Sequence, residues 1–326
     1  MVNFRFHLVS LTAIFLALAA GIAIGAGVVD RQTVDFLNDR LDAVERSYER
    51  TNDENDRLAG ELREWERFRD EVGARPIEGR LAGQPTIVLA VRGTDEGVVD
   101  GVRDMLGAAG SPVDGTIWFS GKWALEGDGD EDGQDRAVTE LTGVVNTATG
   151  VAPADARLAA IDRIVRGWVD GTAGDLVARL RDAAFFEFEP PAAAGDRTID
   201  QVPTPGVVFV VVSAPDADVG APDLAVPLVR SLALAGLPTI AAEPTPPARP
   251  AEPADASGDA PPPPPSLVAT IRTDDDLASR ISTVDNADDY RGRVACVLAV
   301  GDATRARFGH YGTRDGAQRL LPEPAA

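Results

Sequence analysis

The chain opens with a long apolar stretch that is bounded by polar residues. Residues 8–29 carry no charged side chain, and as a helix they would extend roughly 33 Å, which matches the hydrocarbon core of a bilayer. This pattern predicts a membrane-spanning helix, with a cleaved signal peptide as the alternative. Arg5 precedes the span, whereas Asp30, Arg31, Asp35 and Asp39 follow it. The positive-inside rule therefore predicts that residues 1–7 are cytoplasmic and that the body is exported.

Small residues recur within the predicted span. Gly21 and Gly25 form a G-x-x-x-G pattern, which in membranes lets two helices approach closely. The alternative explanation is the high glycine and alanine content of membrane helices in general.

A heptad pattern follows the apolar stretch over residues 30–76 and predicts a coiled coil. Its a and d positions are Val34, Leu37, Leu41, Val44, Tyr48, Thr51, Asn55, Leu58, Leu62, Trp65, Arg69 and Val72. Asparagine at an a position favours a two-stranded parallel coil, so we expect a dimer. A trimer, or one amphipathic helix packed on its own body, stays open. The predicted oligomer interface comprises Gly21, Gly25, Leu37, Leu41, Val44, Tyr48, Asn55, Leu58, Leu62 and Trp65.

Beyond the heptads the pattern changes to short apolar runs that alternate with helical stretches. The first strand–helix–strand succession is predicted at residues 86–91, 96–109 and 116–120, and a second at residues 206–212, 223–235 and 238–242. Two such βαβ units predict an α/β fold whose parallel sheet carries helices on both faces.

Three further segments complete the predicted body. Residues 155–184 have apolar positions at helical spacing and predict one or two core helices, and the apolar run 293–300 predicts another strand. Residues 244–265 are rich in proline and predict a disordered loop. The loop divides the α/β domain into residues 81–243 and residues 266–326.

Composition narrows the possible functions. Lys and Arg number 31 against 52 Asp and Glu, giving a net charge of -21, which argues against nucleic acid as a partner. One cysteine and two histidines leave little material for thiol or imidazole chemistry. No combination of acid, base, nucleophile and phosphate-binding loop is recognisable, so the sequence predicts neither an enzyme nor a cofactor.

A few residues remain as candidate metal ligands. Asp128, Asp130 and Asp132 have the spacing of a calcium loop, but position 12 of such a loop would be Thr139, where an acidic ligand is needed. A solvated acidic loop is the favoured interpretation. Cys296 and His310 are the other candidates, although a cysteine in an apolar run is more often a small buried side chain.

Several segments together resemble one family. The opening FRFHLVSLTAIFLALAAGIAIGAG, the later ISTVDNADDYRGRVACVLAV and the closing GHYG are similar to the MctB family of actinobacterial copper transport proteins. The resemblance covers nearly the whole chain, and residues 282–286 and 309–312 are the positions that look most family-like. It implies a role in limiting copper accumulation, a location in the outer membrane or cell envelope, and a copper ion as a partner. The apolar span and the heptads separately predict membrane lipid and further copies of the chain as partners.

Overall fold

Helix α1 spans Phe4–Val72 without interruption in the computed structural model of the chain. The structure describes residues 4–73, 75, 77–127, 131–191, 196–246 and 265–323. The chain divides into two units, Met1–Val72 and Gly73–Ala326. The first contains α1, and the second, called the body below, contains all the other elements.

The first part of α1 has the length and composition of a membrane span. The segment Phe6–Ile24 is long and apolar enough to cross a bilayer, and all its side chains are exposed. An uncharged helix of this length hydrogen-bonds its own backbone, as a hydrocarbon environment requires.

The body is built on a seven-stranded sheet with the order β3-β2-β1-β4-β5-β6-β7. Its strands are β1 (Thr86–Val91), β2 (Val113–Phe119), β3 (Phe186–Glu189), β4 (Val208–Val212), β5 (Thr239–Ala242), β6 (Ser282–Val284) and β7 (His310–Tyr311). Every neighbouring pair is parallel except β2 with β3. The α/β class and the parallel character of the sheet are confirmed, and the edge strand β3 makes the sheet mixed.

Helices cover both faces of this sheet. They are α2 (Glu96–Ala108), α3 (Glu131–Val145), α4 (Pro153–Asp170), α5 (Gly174–Asp182), α6 (Ala225–Leu234), α7 (Leu267–Thr273), α8 (Asp275–Ala278) and α9 (Tyr290–Ala303). Alternate residues of β1 enter different cores: Ile87 and Leu89 pack with the cluster beneath α3 to α8, whereas Val88 and Ala90 pack with the cluster beneath α2 and α9. Parallel strands are buried on both faces, which explains their continuous apolar runs.

The two predicted βαβ units are present. The units β1-α2-β2 and β4-α6-β5 each join two parallel strands through one helix. The core helices predicted at residues 155–184 correspond to α4 and α5. Of the proline-rich segment, residues 247–264 lie outside the described residues.

One predicted strand is wrong. Residues 293–300 belong to helix α9, which Asp289 caps by accepting a hydrogen bond from the backbone N–H of Arg291. The helix is buried along most of its length, including Val294, Cys296 and Val300. A helix enclosed between a sheet and a neighbouring helix is apolar on most sides, so its sequence lacks the 3.6-residue periodicity.

Candidate functional site

A buried carboxylate, Glu243, follows strand β5 and joins two segments that are distant in sequence. Its Oε1 accepts hydrogen bonds from both terminal nitrogens of Arg314, at 3.0 and 2.9 Å. Its Oε2 accepts from the hydroxyl of Ser266 at 2.7 Å and from the backbone N–H of Val268 at 3.0 Å. Burial raises the pKa of Glu243, although these bonds and the charge of Arg314 act in the opposite direction. Glu243 therefore attaches the start of α7 and the C-terminal segment to the end of β5.

A second ion pair lies at the end of β6 and is more deeply buried. Arg272 donates from Nη1 to Oδ2 of Asp285 at 2.8 Å, and their side chains are 5% and 0% exposed. Asp285 also accepts from the backbone N–H groups of Thr313, at 2.8 Å, and Arg314, at 3.1 Å. The other terminal nitrogen of Arg272 donates to the carbonyl of Tyr311 at 2.9 Å. These additional bonds offset the desolvation cost of a buried pair.

His310 adjoins this pair and has both ring nitrogens engaged. The hydroxyl of Thr283 accepts from Nε of Arg272 and lies 3.0 Å from Nδ1 of His310, so we assign its hydrogen to a bond with Nδ1. The ring also bonds to the backbone of Ala278. Burial, and then the charge of Arg272, lowers the pKa of His310. His310 is therefore a neutral, hydrogen-bonded core residue.

The two segments that look most family-like meet at this place. Strand β6 pairs with β7, with Thr283 opposite His310 and Val284 opposite Tyr311. Directly after β7, Gly312 has a φ of +131°, and a Cβ there would lie 2.1 Å from Oδ1 of Asp285. Only glycine fits that backbone conformation and leaves room for the carboxylate.

We call the set Glu243, Ser266, Arg272, Thr283, Asp285, His310 and Arg314 the carboxyl-edge network, because it lies where β5, β6 and β7 end. Each carboxylate faces one guanidinium, and the bonds described above occupy the polar atoms of the set. Such an arrangement holds strands and loops in register and leaves few groups for a ligand. The sequence analysis missed Glu243, Arg272 and Arg314; the available signal was that Glu243 and Asp285 each follow a buried strand directly.

Cys296, a candidate metal ligand, lies inside α9. Its side chain is fully buried, and burial raises the pKa of the thiol to about 12. Metal ions are bound by the thiolate, which is scarce at neutral pH for such a group. Cys296 is therefore a packing residue.

The structure describes only one of the three aspartates of the candidate calcium loop. Asp132 is the second residue of helix α3, while Asp128 and Asp130 lie outside the described residues. Within the described ranges, no three His, Cys, Asp or Glu side chains come close enough together to hold a metal ion.

The crevice where doubly wound sheets bind ligands lies between β1 and β4, where the strand order reverses. Here the loops after those strands are in direct contact. The backbone N–H of Asp218 donates to the carbonyl of Arg92 at 2.8 Å, and that of Ala214 donates to the hydroxyl of Thr94 at 2.9 Å. A Cβ on Gly93 would lie 2.5 Å from the nitrogen of Asp218. The loops after β1 and β4 are therefore packed against each other at this place.

The predicted oligomer interface lies along α1. Six of its apolar side chains are between 44% and 67% exposed in the single chain: Leu41, Val44, Tyr48, Leu58, Leu62 and Trp65. Asn55 is exposed as well, and a Cβ added to Gly21 would meet no atom within 4 Å. Gly25 and Leu37 belong to the helix, but their side-chain positions lie outside the described residues.

Comparison with known proteins covers both units. A family model described as "Copper transport outer membrane protein, MctB" matches residues 1–322. Similar relatives include the "Copper transporter MctB" of Mycobacterium bovis and that of two Mycobacterium tuberculosis strains. Each is 26% identical to the chain over 348 aligned positions, which cover 98% of this chain and 99% of the relative.

Proposed function

The chain belongs to the MctB family of copper transport proteins, and we propose from this membership that it serves copper transport in the cell envelope. The observation that carries the proposal is the family match, which extends over residues 1–322 and so includes helix α1 as well as the body. Copper is the transported substrate here and not a resident cofactor.

We propose that α1 anchors the protein in a membrane through Phe6–Ile24, with the N-terminus cytoplasmic and the body exported. The uncharged, exposed helix supports the anchor, and Arg5 before the span supports the orientation. Alkaline phosphatase fused after residue 323 tests it: we expect activity, since this enzyme folds only outside the cytoplasm. An inactive fusion that is present in full amount would contradict the orientation.

We further propose that the heptad part of α1 forms a parallel coiled-coil dimer. The exposed seam side chains support it, because a second copy of the helix would remove Leu41, Leu58 and Leu62 from water. Chemical cross-linking of the full chain in its native membrane tests the proposal. A product of two chains is expected, and its absence would contradict the dimer.

The chain is proposed to contribute to copper transport by assembling with other chains. Copper would then pass through the resulting oligomeric conduit or through a partner protein. The burial of the Cys296 thiol and the engaged nitrogens of His310 support a transport role that uses neither side chain. One helix cannot enclose a pore, so the proposal requires several chains or a second protein.

Complementation of a deletion strain tests this assignment. We expect the deletion to raise intracellular copper and copper sensitivity. The variant with both Cys296→Ala and His310→Asn should return both quantities to their native values, whereas a seam variant with Leu58→Asp and Leu62→Asp should leave both raised at equal protein level. Unchanged copper in the deletion strain would contradict the copper role.

A non-catalytic interaction protein, presenting the α/β body on a dimeric coil, is the second candidate. The contact between the loops after β1 and β4 and the exposed seam favour it. The same strains separate the two candidates, because this one expects cross-linked dimers together with unchanged copper in the deletion strain.

A further inference from the structure

The uninterrupted helix α1 determines which side of its membrane segment faces the partner. We propose that Val9, Leu16 and Ala23 form the contact between two copies within the membrane, and that Gly21 and Gly25 point away from it. The inference rests on the proposed dimer and specifies its interface inside the bilayer.

The angular position of each residue around the helix axis shows which residues lie on the same side as the coil seam. From Leu41, in the coil seam, to Gly21 is twenty residues, which at about 100° per residue amounts to roughly five and a half turns. Gly21 therefore lies nearly opposite the seam. Ala23 is eighteen residues from Leu41, roughly five full turns, and lies on the same side as the seam.

Supercoiling gives the same result. When the heptad register of Val44, a d position, is continued towards the N-terminus, the d positions fall at Leu37, Asp30, Ala23, Leu16 and Val9. Gly21 then occupies a b position and Gly25 an f position, both on the outside of a two-stranded coil. Straight and supercoiled helices thus agree for Ala23 and Gly21, whereas the positions of Val9, Leu16 and Gly25 follow from the heptad register alone.

These angles can be extended from the coil into the membrane segment only because the helix is unbroken. Helix α1 runs from Phe4 to Val72 with no break, and the span contains no proline, the usual cause of a sharp kink. Two helices that dock through Leu41 and Val44 must therefore enter the membrane side by side with Ala23 facing its counterpart. The side chains of Val9 and Leu16 are 70% and 68% exposed in the single chain and are available for this contact.

The occupant of this face is a second copy of the chain. The seam in the coil and the d positions in the span lie on one line, which Asp30 interrupts at the end of the apolar stretch, and the proposed coil pairs that line with an identical helix. The small side chain of Ala23 permits close approach, while Leu16 and Val9 provide apolar packing on the same line.

Single-cysteine cross-linking in the full chain tests the inference. The only native thiol is Cys296, so a Cys296→Ala background reports each introduced cysteine alone. Val44→Cys reports the coil, Ala23→Cys reports the proposed membrane contact, and Gly21→Cys is the matched control, only two residues away. Membranes that contain each variant are oxidised with iodine, and the disulfide-linked dimer is quantified by non-reducing electrophoresis.

We expect dimer from Val44→Cys and Ala23→Cys, and about tenfold slower dimer formation from Gly21→Cys, because a disulfide requires Cα atoms within about 7 Å. Faster cross-linking at position 21 than at position 23, with position 44 still linked, would overturn the inference and leave the dimer intact. Linkage at position 44 alone would overturn it as well, since the helices would then diverge in the bilayer. No linkage at position 44 would contradict the proposed dimer itself.

Discussion

A methyl group at position 312 would meet the carboxylate of Asp285, which Arg272 and two backbone N–H groups hold in place. We expect Gly312→Ala to lower the free energy of unfolding by about 3 kcal/mol, through backbone strain and overlap together. Gly206 also has a positive φ but open space around it, so Gly206→Ala should cost only about 1 kcal/mol. Urea denaturation of the two variants measures the difference, and equal losses would contradict a specific contact with Asp285.

His310 should make the stability of the body sensitive to acid. Its pKa is lowered in the fold by burial and by Arg272, so the unfolded chain binds a proton first as the pH falls. The contribution of His310 to the free energy of unfolding is therefore complete above about pH 6.5, and it is lost as the pH falls through the folded-state pKa.

Replacement by asparagine, which can still accept the hydrogen bond from Thr283, should flatten the decline of the unfolding free energy between about pH 7 and about pH 5. Denaturation at several pH values measures it, with His7→Asn as the control. A decline as steep as that of the native chain would contradict this role for His310.

The thiol of Cys296 should be inert in the folded protein. A buried thiol whose pKa is about 12 has almost no thiolate at neutral pH, so iodoacetamide should label it only after denaturation. Cys296→Ala should cost about 1 kcal/mol of stability and restore copper tolerance to the deletion strain as the native chain does. Labelling of the native chain, or a loss of copper tolerance at equal protein level, would show that Cys296 has a chemical role.

Some of these residues can be recognised from the sequence, but the contacts between them cannot. The stretches 282–286 and 309–312 are recognisable by resemblance, but no local pattern says that Gly312 faces Asp285 or that Arg272 pairs with it. Such contacts depend on the pairing of β6 with β7, which no local pattern specifies. Cys296, by contrast, is recognisable as a buried side chain from its apolar neighbours.

Helix α9 and strand β1 show what hydrophobic patterns can and cannot decide. Thr86–Val91 is confirmed as a strand, because a short run rich in β-branched residues, flanked by Pro85 and Gly93, fits a buried strand. The run 293–300 is equally apolar, yet it forms a helix. Its helical start depends on the cap by Asp289 and on burial between the sheet and α2. An apolar run of this length is compatible with both structures.

The ends of the proline-rich segment are held together by the fold. Ser266 donates to Glu243 at 2.7 Å, so the described residues on either side of the segment lie next to each other. We expect replacement of residues 247–264 by a short glycine–serine linker to change the unfolding free energy by no more than about 1 kcal/mol, because loop-closure entropy varies slowly with length.

Thermal and urea unfolding of the shortened chain measure this. Ser266→Ala in the same background should cost a further 1 kcal/mol or so through loss of the cap on α7. A body that fails to fold without the segment would show that the segment packs against it.

The body should fold without helix α1. Both hydrophobic clusters consist of residues beyond position 76, so residues 73–323 contain the cores that stabilise the sheet. We expect this fragment to unfold cooperatively at a temperature within a few degrees of the body transition of the full chain, as calorimetry would show. A fragment without a cooperative transition would contradict this independence.

The contact between Gly93 and Asp218 bears on whether a reaction can be assigned to this protein from its strand order. Strand order alone groups the body with sheets whose members are often nucleotide-dependent catalysts. Here the loops after β1 and β4 contact each other at Gly93 and Asp218. Topology alone therefore assigns no reaction to this protein, and the contact of the two loops ties the carboxyl ends of β1 and β4 together.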